Sequence, residues 1–183
     1  MIGYGTSSVF LRALDEADIE NCFSWHNDPR LYSTLGDAFR PVSKACEIDW
    51  LRRKSAYCAD ELNLAICLQK GGAHIGNIYL REINWVARRS ALHVFIGSEE
   101  HRGKGHGYAA ISQMLRIAFL DLNLNRVFLE VLADNVGAMR LYEKCGFESE
   151  GCLKKHAFKD GTYKDVLIMG ITADQLKRKV EQK

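Results

Sequence analysis

Seven stretches of the chain carry the apolar or alternating pattern that is typical of β-strands. They cover residues 9–14, 62–69, 73–81, 90–97, 126–132, 147–159 and 163–171. The sequences Lys70-Gly71-Gly72 and Asp160-Gly161 have turn composition, so each predicts an antiparallel hairpin between its flanking strands. A helical segment separates residues 90–97 from residues 126–132, and this strand–helix–strand order predicts a parallel pair.

Apolar positions at helical spacing predict about four helices between these strands. The first begins at residues 15–18, with three acids in its first turn, and ends near Asp28-Pro29, because the residue before a proline disfavours the helical conformation. Ser43 can cap a second helix, and a third follows Tyr108. Asn135 can cap a fourth, and the last residues form a polar helix or a frayed tail.

These elements predict a single α/β (α+β) domain over residues 1–183. Its centre would be a mixed sheet of about six to seven strands with an antiparallel N-terminal meander and one parallel pair. The chain has 183 residues, of which 47% are hydrophobic and only two are prolines. That composition is sufficient for one sizeable core.

Charge and hydropathy exclude several classes of partner. The formal net charge is +2 and charges of both signs are interspersed, so we predict no nucleic-acid partner. No apolar run approaches the ~18 residues of a membrane span, and residues 1–11 lack the pattern of a secretory signal. We therefore expect a cytoplasmic protein with no membrane partner.

Cysteine and histidine spacing argues against a metal site. Six cysteines are scattered without a Cys-x-x-Cys pair, which favours reduced thiols, most of them in the core, over a zinc site or a disulfide framework. His101 and His106 lie close together in the sequence, but no set of cysteines or carboxylates accompanies them. We predict no metal.

A glycine-rich loop lies between the strand at residues 90–97 and the third helix. Its glycines allow positive φ and let a ligand approach the main chain closely. Free N–H groups at the start of the helix are donors in the positive field of the helix dipole, so the loop is predicted to bind an anion. The cationic side chains of Arg102 and Lys104 add to that field. The loop consists of Arg102, Gly103, Lys104, Gly105, His106 and Gly107.

Three phosphate-binding patterns compete for this loop. The Walker pattern fails, because its spacing of glycine, four residues and Gly-Lys is absent. The dinucleotide fingerprint fits on spacing through Gly105, Gly107 and Ala110, but it belongs in the first strand–helix–strand unit of a parallel sheet, whereas this loop follows an antiparallel meander. The pattern Arg-x-x-Gly-x-Gly, from Arg102 to Gly107, resembles the acetyl-coenzyme A pyrophosphate loop of the GNAT superfamily of N-acetyltransferases.

A second motif carries the same resemblance further along the chain. The superfamily pattern N-x-x-A-x-x-x-Y-E-x-x-G-F is matched at every fixed position by Asn135, Ala138, Tyr142, Glu143, Gly146 and Phe147. The stretch from Trp25 to Pro29 is similar to W-x-N-D-P in a branch that contains ribosomal-protein N-terminal acetyltransferases. The resemblance covers about residues 9–171, with a close likeness to the ribosomal-protein and spermidine-type branches. It implies the GNAT fold, in which the two parallel strands splay apart.

The resemblance implies acetyl-coenzyme A (acetyl-CoA) as co-substrate. The glycine-rich loop would hold its pyrophosphate. Main-chain groups near Val94, Phe95 and Ile96 would bind the pantetheine arm and polarise the thioester carbonyl. Asn135 and Ala138 complete the expected cofactor-binding set, with Asn135 contacting the pantetheine or ordering the start of its helix.

Acetyl transfer to an amine needs a proton donor for the departing thiolate and a neutral attacking amine. Tyr142 lies one turn past Ala138 on the same helix face, and the resemblance makes it the general acid. Many relatives carry a glutamate where this chain has Ala91, so the general base stays open. The candidates are His93, Glu82, Glu130 and a water chain to bulk solvent.

The implied function is transfer of an acetyl group from acetyl-CoA to a primary amine by direct attack in a ternary complex. The chain would then be an enzyme, an acyltransferase of the N-acetyltransferase class. The alternative is a non-catalytic module that senses acetyl-CoA, which the missing strand glutamate favours. Tyr142 argues against the sensor, because a sensor has no need of the acid.

The acceptor would be a small-molecule or peptide amine, such as an amino sugar on a nucleotide, a protein N-terminus or another small amine. By resemblance the first two helices and the segment between them line its site. Residues 27–42 offer only two acids against two arginines, so a polyamine is less expected. A homodimer is possible. The aromatic and mildly charged surface of that segment consists of Tyr32, Asp37, Arg40 and Trp50.

Overall fold

The computed structural model describes residues 8–181 of the chain. Its strands are β1 (Val9–Ala13), β2 (Leu62–Leu68), β3 (His74–Asn84), β4 (Arg89–Ile96), β5 (Arg126–Leu132), β6 (Glu148–Lys159) and β7 (Thr162–Thr172). They form one sheet in the order β1-β2-β3-β4-β5-β7-β6. All seven predicted strands are confirmed. The expectation about a secretory signal falls mainly on residues 1–7, which lie outside the described residues.

Within residues 8–181, six helices accompany the sheet rather than about four. They are α1 (Ile19–His26), α2 (Pro29–Tyr32), α3 (Lys44–Ser55), α4 (His106–Arg116), α5 (Val136–Cys145) and α6 (Ala173–Glu181). The single turn of α2 was not predicted, although Asp28 caps it and Pro29 takes its first position, where a missing N–H needs no partner. α4 begins two residues earlier than expected, because Gly105 adopts a φ of 83° and serves as its N-cap.

The pairing of the strands follows the sequence prediction. Strands β1 to β4 form the antiparallel meander, and β6 pairs with β7 in the second hairpin. Strands β4 and β5 are parallel, but they pair only from Arg89 opposite Arg126 to Ala91 opposite Phe128. The predicted parallel pair and its splay are therefore confirmed.

Helices cover both faces of the sheet. Ile111 of α4 packs with Ile78 in the larger core. Cys22 of α1 and Leu51 of α3 pack with Tyr79 in a second core. Because successive side chains of a strand point to opposite faces, Ile78 and Tyr79 place α4 on one face and the α1–α3 pair on the other.

Several expectations from composition can be compared with the structure. All six cysteines are free, but only Cys22, Cys67 and Cys145 are buried, so the expectation that most lie in the core is wrong. Within residues 8–181, no group of three histidine, cysteine or acidic side chains is placed to hold a metal ion. In the same part of the chain, no helix combines the length and hydropathy needed to cross a membrane.

Trp25 fixes α1 against the end of β4. A Cβ atom on Gly97 would lie only 2.1 to 2.5 Å from three atoms of the indole ring, so the ring rests directly on the glycine. Trp25 is 6% exposed, and its ring meets Phe95 edge-on with centroids 5.9 Å apart. This contact joins the W-x-N-D-P stretch to the strand that precedes the glycine-rich loop.

We expect Gly97→Ala to destabilise the protein by about 1–3 kcal/mol, because the new methyl group must displace the indole from a packed core. Chemical denaturation of the variant and the wild type measures the difference. Gly151→Ala is the matched control, since nothing lies within 4 Å of a Cβ at that glycine. Equal stability of the two variants would show that the contact with Trp25 does not constrain position 97.

Candidate active site

The splay of β4 from β5 opens a gap in the sheet. Their pairing ends at Ala91 and Phe128, whereas β5 stays paired with β7 as far as Leu132. Beyond Ala91, the edge of β4 that faces β5 therefore has main-chain groups without a strand partner. Such groups need another hydrogen-bond partner, and a ligand can supply it.

Val94 and Ile96 present those groups to the gap. The N–H of Gly97 donates to the carbonyl of Ile75 on β3 at 2.9 Å. Because the direction of these groups alternates along an antiparallel strand, the N–H groups of Val94 and Ile96 point away from β3, towards β5. Phe95, paired with Asn77, directs its main chain to β3 instead, and its ring lines the cavity described below.

The glycine-rich loop closes one end of this gap. Gly103 and Gly105 have φ angles of 72° and 83°, which favour glycine. Arg102 does not point freely at a ligand. Its Nε donates to the carbonyl of Ile96 and its Nη2 to that of Gly97, both at 2.9 Å. The guanidinium thus braces the loop against β4 and satisfies a carbonyl at the end of the gap.

One cavity of about 1000 Å³ joins the loop, the gap and the α3 side of the sheet. Every residue of the glycine-rich loop lines it except Lys104. Of the four residues expected on the acceptor surface, Tyr32, Asp37 and Trp50 line the cavity and Arg40 does not. We call the part bounded by Trp50, Tyr79, Arg81 and His93 the acceptor end.

Asn135 and Ala138 form the N-cap of α5. The side chain of Asn135 accepts from the N–H of Ala138 at 3.1 Å and donates to the carbonyl of Thr34 at 3.2 Å. Both residues line the cavity. Asn135 thereby connects the start of α5 to the loop that follows α2.

Tyr142 lies on α5 and lines the same cavity. Burial, followed by the nearby thiol of Cys145, raises the pKa of its phenol to about 12. Its ring meets Phe147 edge-on at 5.9 Å. The phenol is therefore protonated throughout the neutral range and can donate a proton into the cavity.

The candidate bases differ in whether they line the cavity. His93 and Glu130 line the cavity, whereas Glu82 does not. The loss of surrounding water, followed by the charge of Arg81, lowers the pKa of His93, and Asp37 and Glu82 oppose the shift. A lowered pKa leaves the imidazole neutral at neutral pH, which is the form that accepts a proton.

The cavity also contains a histidine–glutamate pair that the sequence analysis did not identify. His26 approaches both carboxylate oxygens of Glu47 through Nδ1, at 2.8 and 2.9 Å. Glu47 is only 2% exposed, and the ring of His26 meets Trp50 edge-on at 4.7 Å. The two residues lie 21 positions apart on different helices, so no local sequence pattern indicates the pair.

Comparison with known proteins agrees with this geometry. Residues 8–148 match the model of the acetyltransferase (GNAT) domain family. The chain is 32% identical over 166 residues to a spermidine N(1)-acetyltransferase of Vibrio cholerae, covering 90% of this chain and 93% of that protein. It is 27% identical over 165 residues to an L-amino acid N-acetyltransferase of Escherichia coli, covering 89% and 97%.

A solved structure shares the whole fold. It is the crystal structure of spermidine N-acetyltransferase from Vibrio cholerae in complex with CoA and spermine. It superposes with a TM-score of 0.85 at 30% identity, covering 93% of this chain and 98% of that one. Acetyl-CoA is the co-substrate of this family. The chain is an N-acetyltransferase that belongs to the GNAT superfamily.

Proposed function

We propose that the chain transfers an acetyl group from acetyl-CoA to a primary amine by direct attack in a ternary complex. One observation carries this proposal. The gap beside Val94 and Ile96 opens into a cavity that also contains the glycine-rich loop and Tyr142. An acyl donor and an amine can therefore meet in one site without a covalent enzyme intermediate.

The unpaired main-chain N–H groups of α4 and β4 indicate where the cofactor binds in the cavity. The N-terminus of α4, preceded by Gly105, offers N–H donors to the pyrophosphate. The N–H groups of Val94 and Ile96 bind the pantetheine arm and polarise the thioester carbonyl. Arg102 acts indirectly, since its guanidinium holds the loop on β4.

Direct attack is supported by the positions of the cysteines. Cys145 follows the second motif closely in the sequence, but it is 5% exposed and does not line the cavity. Among the described residues, Cys46 is the one cysteine on the wall of the cavity. It belongs to α3 rather than to the β4–β5 gap where the thioester is proposed to lie.

The acceptor is proposed to be an amine whose proton is taken by His93. Spermidine is a second candidate acceptor, because the chain is similar in both sequence and structure to spermidine N-acetyltransferase of Vibrio cholerae. The carboxylates of Asp37 and Glu130 on the cavity wall suit its positive charges. Release of thiol from acetyl-CoA across a panel of amines identifies the acceptor.

We expect Tyr142→Phe to lower turnover by roughly 10²- to 10⁴-fold while CoA affinity stays nearly unchanged, because the variant keeps the ring and loses only the proton donor. Thiol release and calorimetric CoA binding measure the two effects. Tyr163→Phe is the control, since that residue is exposed on β7. Wild-type turnover in Tyr142→Phe would remove the phenol from the mechanism.

We expect kcat/KM to fall at acid pH with a midpoint below the ordinary histidine value of about 6.5. The direction follows from the lowered pKa of His93, because the imidazole is active only when neutral. His93→Asn should lose this acidic limb, whereas His156→Asn, on the exposed surface of β6, should keep it. Both are compared with wild type on one acceptor. If the acidic limb of the kcat/KM profile is unchanged in His93→Asn, another group is the base.

A further inference from the structure

Arg81 lies at the acceptor end on the same face of the sheet as His93. It belongs to β3 and stands directly opposite Ala91 on β4, while Tyr79 stands opposite His93. Side chains two residues apart on a strand share a face, as do cross-strand partners. The guanidinium stacks over the ring of Tyr79, with 4.8 Å from Cζ to the centroid.

Apart from the ring of Tyr79, the guanidinium of Arg81 has no hydrogen-bond or ion-pair partner among the described residues. Its Nε is buried without a hydrogen bond, and no carboxylate of residues 8–181 lies within 4.0 Å of it. Two other partly buried arginines differ, since Arg12 is paired with Asp18 and Arg126 with Glu150. Leaving a buried donor unpaired costs free energy, so a ligand that accepts a hydrogen bond from Arg81 recovers that free energy.

The acid whose charge interacts with Arg81 is Glu61, and it is already paired with Lys54. Ala91, directly opposite, cannot neutralise the guanidinium. On the α3 side, Glu47 is already held by His26, and Arg53 adds a second cation to the wall. Outside residues 101–108 and α5, the other charged or titratable groups that line the cavity are Tyr32, Asp37, Cys46, His93 and Glu130.

We propose that Arg81 binds an anionic group, a carboxylate or a phosphate, on the acceptor molecule. This inference rests on the proposed function, because the amine of the same molecule must reach the thioester beside Val94. Position 94 is three residues beyond Ala91 along β4, or roughly 10 Å at the rise of a strand. The acceptor is therefore an amine that carries an anionic group within that span, and this inference favours that class over the spermidine candidate.

Matched pairs of amines test this inference. Each pair shares the amine and differs in the anion: an amino acid and its carboxamide, and an amino sugar phosphate and the free amino sugar. We expect the anionic member to have the higher kcat/KM in at least one pair. The pair that responds distinguishes a carboxylate from a phosphate.

Arg81→Gln should lower the ratio of kcat/KM between the anionic and the neutral member by roughly 10- to 100-fold, as expected for loss of a hydrogen bond to a charged group. Arg52→Gln removes the same charge from an exposed position that pairs with Glu16 outside the cavity. It should keep the wild-type ratio. Thermal unfolding of both variants establishes that they are folded.

Two results overturn the inference. One is a ratio that Arg81→Gln leaves unchanged, and the other is spermidine as the best acceptor with full efficiency in Arg81→Gln. Absence of thiol release with every amine would contradict the proposed function instead. In that case, calorimetric binding of the anionic amines to the CoA-bound protein decides the inference. Binding that Arg81→Gln abolishes supports it, and binding that is absent or unaffected contradicts it.

Discussion

The early end of the β4–β5 pairing is the constraint on which the site depends. Buried main-chain groups cost free energy when they lack a partner, yet β4 runs on to Ile96 after its pairing with β5 stops at Ala91. The protein tolerates this because Arg102 takes the last carbonyl and acetyl-CoA can take the groups before it. In the proposed complex, the cofactor completes the sheet.

Contacts between distant parts of the chain hold the loop after α2 in place. Lys159, 8% exposed on β6, donates to the carbonyls of Tyr32 and Asp37, and burial lowers its pKa. Asn135 donates to Thr34 in the same loop. The loop after α2 is thus fixed both by the C-terminal hairpin and by the helix that carries Tyr142.

Local patterns predicted most of the fold, and cross-strand register determined what they missed. Turn residues and alternation predicted every strand, and the two motifs predicted the loop and the cap at Asn135. The bracing role of Arg102 depends on where β4 ends. The lack of an ion-pair partner for Arg81 on β4 depends on Ala91 lying opposite it. His26 and Glu47 lie 21 residues apart, and only the packing of α1 on α3 joins them.

Amide hydrogen exchange in β4, resolved by NMR with and without CoA, tests the central claim most directly. The amides of Val94 and Ile96 should exchange rapidly in the free protein and slow by at least about tenfold when CoA saturates the gap. The amide of Phe95, which faces β3, should be protected in both states and serves as the internal control. Protection of Val94 and Ile96 without CoA, or exchange that CoA leaves unchanged, would contradict the account.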